Sequence, residues 1–362
     1  MSVLVNAVND NARPRGPDRY LLELLPRMRA ADPNMRFTVV HGPWQTAFAE
    51  PTEIEGVTFR AVDAPRKPVP RLLWQASGFV RLANESDADA VFLPNLIWTP
   101  GLRPPSVMTV HDLLHFSHPD KFGRVKSALL RRVIRRALHR SDALIAVSEA
   151  TRGVIGQVAP AALPRTHVIL EGGPEPHPQL RTPRERMFLY VGQIERTKHV
   201  PLLARAFLRS AVLRDLGYRL VILGPEGNDS ETLAPLIVNG AGRIERPGYV
   251  DDAALANYYA TARGFVFPSE AEGFGLVVLE AMAHGTPVIA ADATSLPEVV
   301  GNSGLLVPPG DGQALGAAME QLAQDDALAA RLEMAGRARL ARFSWDDAGR
   351  GTVAALRALV DQ

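Results

Sequence analysis

Glu272 and Glu280 are two carboxylates separated by seven residues, and a glycine-rich turn, Gly273-Phe274-Gly275-Leu276, begins directly after the first. An apolar helical run follows, then Gly285, Pro287 and a short buried-strand pattern, Val288-Ile289-Ala290. Glycines at a helix start let the backbone approach a ligand closely and present N–H groups to an anion or a sugar hydroxyl. On a helical reading Glu280 lies about two turns, or ~12 Å, beyond Glu272, too far for both to act on one bond. The pair suits two acceptors gripping different parts of an extended, hydroxyl-rich ligand, and a nucleotide sugar has that form. A purely structural alternative has Glu272 capping a helix and Glu280 solvated.

A second constellation is Tyr190-Val191-Gly192-Gln193-Ile194-Glu195-Arg196-Thr197-Lys198, a strand running into a loop with Gly192 and two cations. A Lys and an Arg beside the start of the helical run Val200–Leu208 can neutralise a diphosphate leaving group. Two solvated loop cations are a serious rival for Arg196 and a poor one for Lys198. His111 follows the strand pattern Val107–Val110, at the carboxyl end where α/β sheets place ligands. A lone His there is often structural. His115 and His118 near it suggest a metal cluster, a reading we reject. Gly16-Pro17-Asp18-Arg19-Tyr20 opens a helical pattern over Tyr20–Met28. Residues Asn6–Gly16 lack Gly-x-Gly-x-x-Gly, which excludes the dinucleotide oxidoreductase fingerprint.

Residues 268–290 resemble the Glu-x7-Glu signature of retaining glycosyltransferases, family 4 in particular. The flanks Phe265-Val266-Phe267-Pro268-Ser269 and Gly285-Thr286-Pro287-Val288-Ile289 agree with it. The resemblance implies an α/β fold of GT-B type, two Rossmann-like domains with parallel sheets facing an interdomain cleft. It implies that Glu272 and the Gly273, Phe274, Gly275 and Leu276 backbone hold the sugar, and that Glu280 holds the ribose. Lys198, with Arg196 and Gly192, would serve the diphosphate; His111 would position the donor sugar, and Gly16 would approach the donor phosphates. Gly224, Tyr249 and Val250 would flank the nucleobase. The chain departs from the family where arginine is common: Gln193 and Thr197 stand there, leaving Arg196 as the local candidate. Asp18 replaces a second glycine and is read as an acceptor-selecting residue.

Val110-His111-Asp112-Leu113 with His118-Pro119-Asp120 resembles mannosyltransferases of polysaccharide assembly. That implies GDP-mannose as donor, with a UDP-hexose close behind, a glycan or polyprenyl-linked acceptor, and no metal or other cofactor. A sugar-nucleotide epimerase of the same fold should carry more catalytic acids. A non-catalytic glycan-binding homologue should have lost motif residues, of which only Gln193 and Asp18 give a hint.

These residues must be carried by elements of the right kind. At 362 residues the chain has room for two cores. With 46% hydrophobic and 22% charged residues it reads as an ordinary globular protein. Having no cysteine, it has neither disulfides nor thiolate chemistry, which fits a cytoplasmic setting. The start reads as a strand rather than a signal peptide, and no run of eighteen apolar residues predicts a membrane span. Residues 1–180 carry 22 basic and 17 acidic residues, the remainder 18 and 22. The net values of +5 and −4 suit an anionic partner for the first half but are far too small for nucleic acid.

Strand patterns at Val3–Val8, Phe37–Val40, Ala90–Leu93, Val107–Val110, Ala143–Val147 and Val168–Leu170 alternate with helical ones. They resume at Met187–Val191, Arg219–Leu223, Gly264–Phe267 and Val288–Ala290, which predicts parallel sheets of βαβ units. The Pro- and Gly-rich segment 171–184 breaks either element, so the domain boundary belongs there. By resemblance, residues 1–175 form the acceptor-binding domain and 185–343 the nucleotide-sugar domain. A helix in 344–362, with Ser344 as N-cap, would cross back to the first. Ser148 is read as another N-cap. Residues 121–140 predict an amphipathic helix with Phe122, Val125, Leu129, Val133 and Ala137 inward and Arg131, Arg132, Arg135 and Arg136 polar. It suits equally a core helix with a basic exterior and a peripheral contact with anionic lipid at the inner face of a membrane.

Overall fold

The long apolar runs of the sequence become strands buried on both faces, as parallel sheets flanked by helices require. The computed structural model describes residues 1–12, 16–49, 53–117, 124–177 and 184–361. The chain divides into two compact units, Met1–Gly172 with Ser344–Gln362, and Gly173–Phe343.

The first unit contains the parallel strands β1 (Ser2–Asn6), β2 (Arg36–His41), β3 (Val57–Ala61), β4 (Ala90–Leu93), β5 (Ser106–Val110), β6 (Ala143–Ala146) and β7 (Thr166–Val168). Their order across the sheet is β3-β2-β1-β4-β5-β6-β7. Alternate residues point to opposite faces. Val3, Val5, Phe37, Val39, Phe92 and Ile145 therefore meet Leu21, Leu24 and Met28 of the helix Gly16–Ala31 and Leu356 of the C-terminal helix Trp345–Val360. Leu4, Val40, Val91, Met108, Val110 and Leu144 face the other layer, with Phe79, Ile134, Leu138 and Ile155. The C-terminal helix is capped by Ser344, whose Oγ accepts from the Asp347 N–H at 3.3 Å. Ser148 caps the helix Glu149–Val158 in the same way.

The second unit contains β8 (Glu185–Val191), β9 (Arg219–Leu223), β10 (Ile244–Gly248), β11 (Ala262–Phe267), β12 (Val288–Ala291) and β13 (Gly304–Val307). Its order is β10-β9-β8-β11-β12-β13, again parallel throughout. In each sheet the first strand of the unit lies between the second and the fourth, so the connections turn opposite ways from there. Open α/β sheets bind ligands beyond the carboxyl ends of the strands at this switch point. It falls between β1 and β4 in the first unit, and between β8 and β11 in the second.

Three strands were absent from the sequence reading, β3, β10 and β13, and β7 runs two residues earlier than the pattern placed it. All four are sheet edges. An edge strand needs no continuous apolar run: β3 is exposed at Thr58, Arg60 and Ala61, and β10 carries Pro247 beside a register shift.

The basic helix spans Arg124–Arg140 and differs from its expected orientation. Leu130, Ile134, Ala137 and Leu138 pack on the core, whereas Leu129 is 66% exposed. The inward stripe runs one residue, about 100°, away from the one predicted. Phe122 and His118 lie outside the described residues.

Candidate functional site

Four loops converge at the carboxyl ends of the strands in the second unit. Residues 192–199 follow β8 and residues 268–275 follow β11, and the switch point brings the two together. The Glu270 N–H donates to the Thr197 carbonyl at 2.9 Å, and the Ser269 hydroxyl donates to the same oxygen at 3.2 Å. His199 Nε2 lies 2.8 Å from Glu270 Oε2. Between these contacts the Lys198 ammonium pairs with the Glu272 carboxylate, both side chains mostly buried. The same ammonium stands 5.2 Å from the centroid of the Phe267 ring, a cation–π contact that adds to its ion pair. Burial, followed by the nearby Glu272 and Glu195 carboxylates, pushes the Tyr190 hydroxyl well above its ordinary range, so it stays neutral and donates to the Gln193 carbonyl.

The loop after β12 supports the glycine turn. Thr294 Oγ1 accepts from the Glu272 N–H at 3.1 Å, and the Ser295 hydroxyl donates to the carbonyls of Glu272 and Phe274 at 3.2 and 2.8 Å. Thr294 does this from φ +50°. For a β-branched residue such a conformation costs of order 1–3 kcal/mol, and the surrounding contacts must hold it. Gly275 caps the helix Leu276–Ala283 at φ +114°. Glu272 therefore lies in the loop before that helix, and only Glu280 lies on it. This corrects the picture of two carboxylates spaced along one helix. Phe274 is buried edge-on against Phe343, so this residue can offer a ligand only its backbone.

Glu280 is oriented from the preceding helix, Asp252–Thr261: the Tyr259 hydroxyl donates to Glu280 Oε2 at 3.0 Å. Gly192 and Gly224 meet back to back. A Cβ on Gly224 would sit 2.1 Å from the Gly192 carbonyl oxygen, and the Gly192 N–H donates to Leu223 O at 2.9 Å. The Gly224 loop is further joined to the first by Gln193 Nε2 donating to Glu226 O, and by the Arg196 N–H donating to Asn228 Oδ1. The Arg196 side chain is exposed, as is the Tyr249 ring at 85%, while Val250 is half-buried.

In the first unit the corresponding ends carry polar groups. His111 follows β5; its Nδ1 lies 2.8 Å from Glu171 Oε1 and its Nε2 2.9 Å from Pro94 O. Burial alone would lower the His111 pKa, but the Glu171 carboxylate outweighs it and holds it above the ordinary histidine value. Asp18 is buried in the first helical turn and accepts from Asn9 Nδ2 at 2.6 Å and Asn11 Nδ2 at 2.9 Å. Its carboxylate organises the loop after β1. Gly16 starts the helix with open space around its Cα, so no packing contact explains it. Among the described residues no His, Asp and Glu cluster could hold a metal ion. Thr294, Ser295, Glu270, Tyr259 and Glu171 were missed in the sequence, because partners set by tertiary packing leave no spacing signal.

A family model described as Glycosyl transferases group 1 matches residues 185–325, and one described as Glycosyltransferase Family 4 matches residues 14–172. The chain is 31% identical over 268 residues to O-antigen chain mannosyltransferase B of Escherichia coli, covering 70% of each. It is 37% identical over 162 residues to an MMP alpha-(1->4)-mannosyltransferase of Mycolicibacterium hassiacum, covering 43% of this chain and 39% of that protein. Sucrose-phosphate synthase from Thermosynechococcus elongatus superimposes with a TM-score of 0.77 at 22% identity, over 99% of both chains. The fold is that of the GT-B glycosyltransferases. The chain belongs to glycosyltransferase family 4.

Proposed function

We propose that this glycosyltransferase moves mannose from GDP-mannose to a glycan or polyprenyl-linked acceptor in polysaccharide assembly, with retention at the anomeric carbon. The observation that carries the reading is the Lys198–Glu272 pair at the switch point between β8 and β11, which joins a cation for phosphate to a carboxylate for sugar hydroxyls. The names of the two relatives described above support mannose as the sugar.

In this reading Lys198 and Arg196 bind the diphosphate and stabilise its charge as it departs. Glu272 and the backbone of Gly273, Phe274, Gly275 and Leu276 hold the sugar. Glu280, aimed by Tyr259, accepts from the ribose hydroxyls. Gly192, Gly224, Tyr249 and Val250 shape the nucleotide site. His111 of the first unit contributes a positive charge to the reaction. The acceptor hydroxyl oxygen bonds to C1 as the bond from C1 to the diphosphate oxygen breaks. The hydroxyl proton passes to the leaving phosphate, and the nucleoside diphosphate is released. The two cations supply the charge, so the reaction needs no metal.

No described helix is long and apolar enough to cross a membrane. We place the protein in the cytoplasm, meeting the inner face of the membrane through the helix Arg124–Arg140. There the exposed Leu129, Arg132, Arg136 and Arg140 combine an apolar side chain with three cations, complementary to anionic lipid.

The test is a thermal-shift panel of GDP, UDP, GDP-mannose and UDP-glucose, followed by transfer from the stabilising donor and NMR of the product's anomeric proton. GDP and GDP-mannose should stabilise, and the product should be the α-anomer. Stabilisation by uridine nucleotides alone would move the donor to a UDP-hexose. No shift with any nucleotide would end the transferase reading.

A further inference from the structure

We propose that Glu171 is a positioning residue for the transfer reaction, holding the His111 ring through Nδ1 in one orientation and in its charged form. The proposal rests on the transferase reading above for its kinetic consequence, but not for its geometry.

His111 faces two oxygens, Glu171 Oε1 at 2.8 Å and Pro94 O at 2.9 Å, on opposite ring nitrogens. A carbonyl and a carboxylate can only accept, so both nitrogens must donate, and the ring that does so is the imidazolium. The converse also holds. Glu171 is only 4% exposed, and a carboxylate so buried needs a cation at hydrogen-bond distance. Among the described residues, the other ionisable groups at the ring are Asp112, next in the chain, which also favours the charged form, and Tyr20. The Tyr20 ring meets His111 edge-on at 4.8 Å, and burial keeps its hydroxyl protonated.

Glu171 owes its place to the C-terminal helix. Two residues before it, the Ile169 N–H donates to Ala146 O at 3.0 Å, which ends the β7 pairing. Directly after it, Gly172 lies against the Trp345 ring so closely that a Cβ would sit 2.2 Å from Cγ. Trp345 is the first residue of the C-terminal helix and also packs on Tyr20, at 5.9 Å between ring centroids. That helix thus supports both sides of His111, through Glu171 and through Tyr20. With both nitrogens committed, the ring can act by its charge but has no spare N–H to offer. A fixed cation favours a departing diphosphate, so the charged ring is the active form.

The experiment follows the nine histidines by NMR in the isotope-labelled full chain, with His111→Asn to assign the signal. His111 should titrate above the ordinary histidine range, and Glu171→Gln should lower its pKa by about one unit or more. The alkaline limb of the kcat profile should move to lower pH by the same amount in Glu171→Gln, with the donor KM little changed. An unchanged His111 pKa in Glu171→Gln overturns the pairing. A shifted pKa with an unmoved limb overturns the role in transfer. If wild type shows the raised pKa but transfers no sugar, the transferase reading fails, and with it the kinetic role, while the ion pair stands. If Glu171→Gln does not fold, Glu171→Asp keeps the charge at shorter reach. It should titrate between wild type and the ordinary value, and a wild-type pKa there overturns the proposal.

Discussion

Lys198 and Glu272 form an ion pair across the switch point of the second sheet, one from the loop after β8 and the other from the loop after β11. The loops that carry them are joined at the Thr197 carbonyl, which accepts from the Glu270 N–H and the Ser269 hydroxyl, so the pair is built into the fold rather than into two independent surface chains. On the proposed function, a diphosphate approaching Lys198 competes with a carboxylate already in place. That competition separates the roles of the two residues in a measurable way.

Glu272→Gln should free the Lys198 ammonium and raise the affinity for nucleoside diphosphate, while transfer should fall steeply if, as proposed, the carboxylate accepts from the sugar. Lys198→Ala should weaken nucleoside diphosphate binding by about 1.5–3 kcal/mol, as expected for a charge-assisted contact, and abolish transfer. Calorimetric titration of both variants decides this. Weaker binding in Glu272→Gln would mean that the carboxylate touches the nucleotide itself.

Tyr259→Phe removes the hydroxyl that donates to Glu280 but keeps the ring, which stacks on His284 at 5.3 Å. Its cost to nucleoside diphosphate binding should be about 0.5–1.5 kcal/mol, less than that of Glu280→Gln. In the double variant the two losses should not add, because the hydroxyl acts through the carboxylate. Additive losses in the cycle would give Tyr259 a separate role.

The sequence made some of this legible and hid the rest for identifiable reasons. Central strands such as Met187–Val191 were readable because burial on both faces demands continuous apolar residues, whereas the edges β3, β10 and β13 make no such demand. Gly275 could be read because a glycine before an apolar helical run carries a local signal, and it caps that helix at φ +114°. Glu171 was read only as the start of a linker: its partner His111 is sixty residues away, and no local pattern encodes that contact. Asp18 was read as an acceptor-selecting residue, and the structure shows its carboxylate buried and accepting from the Asn9 and Asn11 amides. A carboxylate beside a loop looks the same in sequence whether it faces a ligand or its own fold.

Gly224→Ala should abolish nucleotide binding without removing any group that could touch nucleotide. Its φ of +136° disfavours any side chain, and the new Cβ would overlap the Gly192 carbonyl. Thermal unfolding should drop by several degrees. Gly153→Ala, on a helix with open space around it, should be neutral or stabilising and serves as the control. Wild-type nucleotide affinity in Gly224→Ala would show that the two loops do not depend on each other.

Arg357 of the C-terminal helix donates twice to Asp32 Oδ2, from Nε at 2.9 Å and Nη2 at 2.5 Å. Burial pushes the Asp32 carboxyl up, but the Arg357 hydrogen bond and the Asn34 N–H outweigh it and hold its pKa below the ordinary value. A depressed folded-state pKa gives stability above the unfolded value near 4 that is lost as pH falls through the folded one. Asp32→Asn should therefore unfold more readily than wild type at pH 7, and the gap should close as pH falls below about 4. Urea titrations at several pH values measure it, and a gap independent of pH would assign the loss to packing rather than charge.

The arginines of the helix Arg124–Arg140 are not equivalent, and that makes the membrane proposal testable. Arg131 Nε donates to His115 O at 2.8 Å, and the Arg135 guanidinium lies 5.2 Å from the centroid of the Phe116 ring. These two hold the short helix Leu114–Ser117. Arg132, Arg136 and Arg140 are exposed beside Leu129. Replacing those three with Gln should reduce sedimentation with anionic vesicles and leave thermal stability unchanged. Replacing Arg131 and Arg135 should lower stability instead. Binding should also weaken with salt, since exposed charges are screened over about 8 Å at physiological ionic strength. Leu129→Asp should weaken binding even at low salt, because it removes the apolar contact and repels the lipid headgroups. If vesicle binding survives the triple Gln variant and Leu129→Asp alike, this face does not meet the membrane, and the exposed leucine belongs to a solvated helix surface.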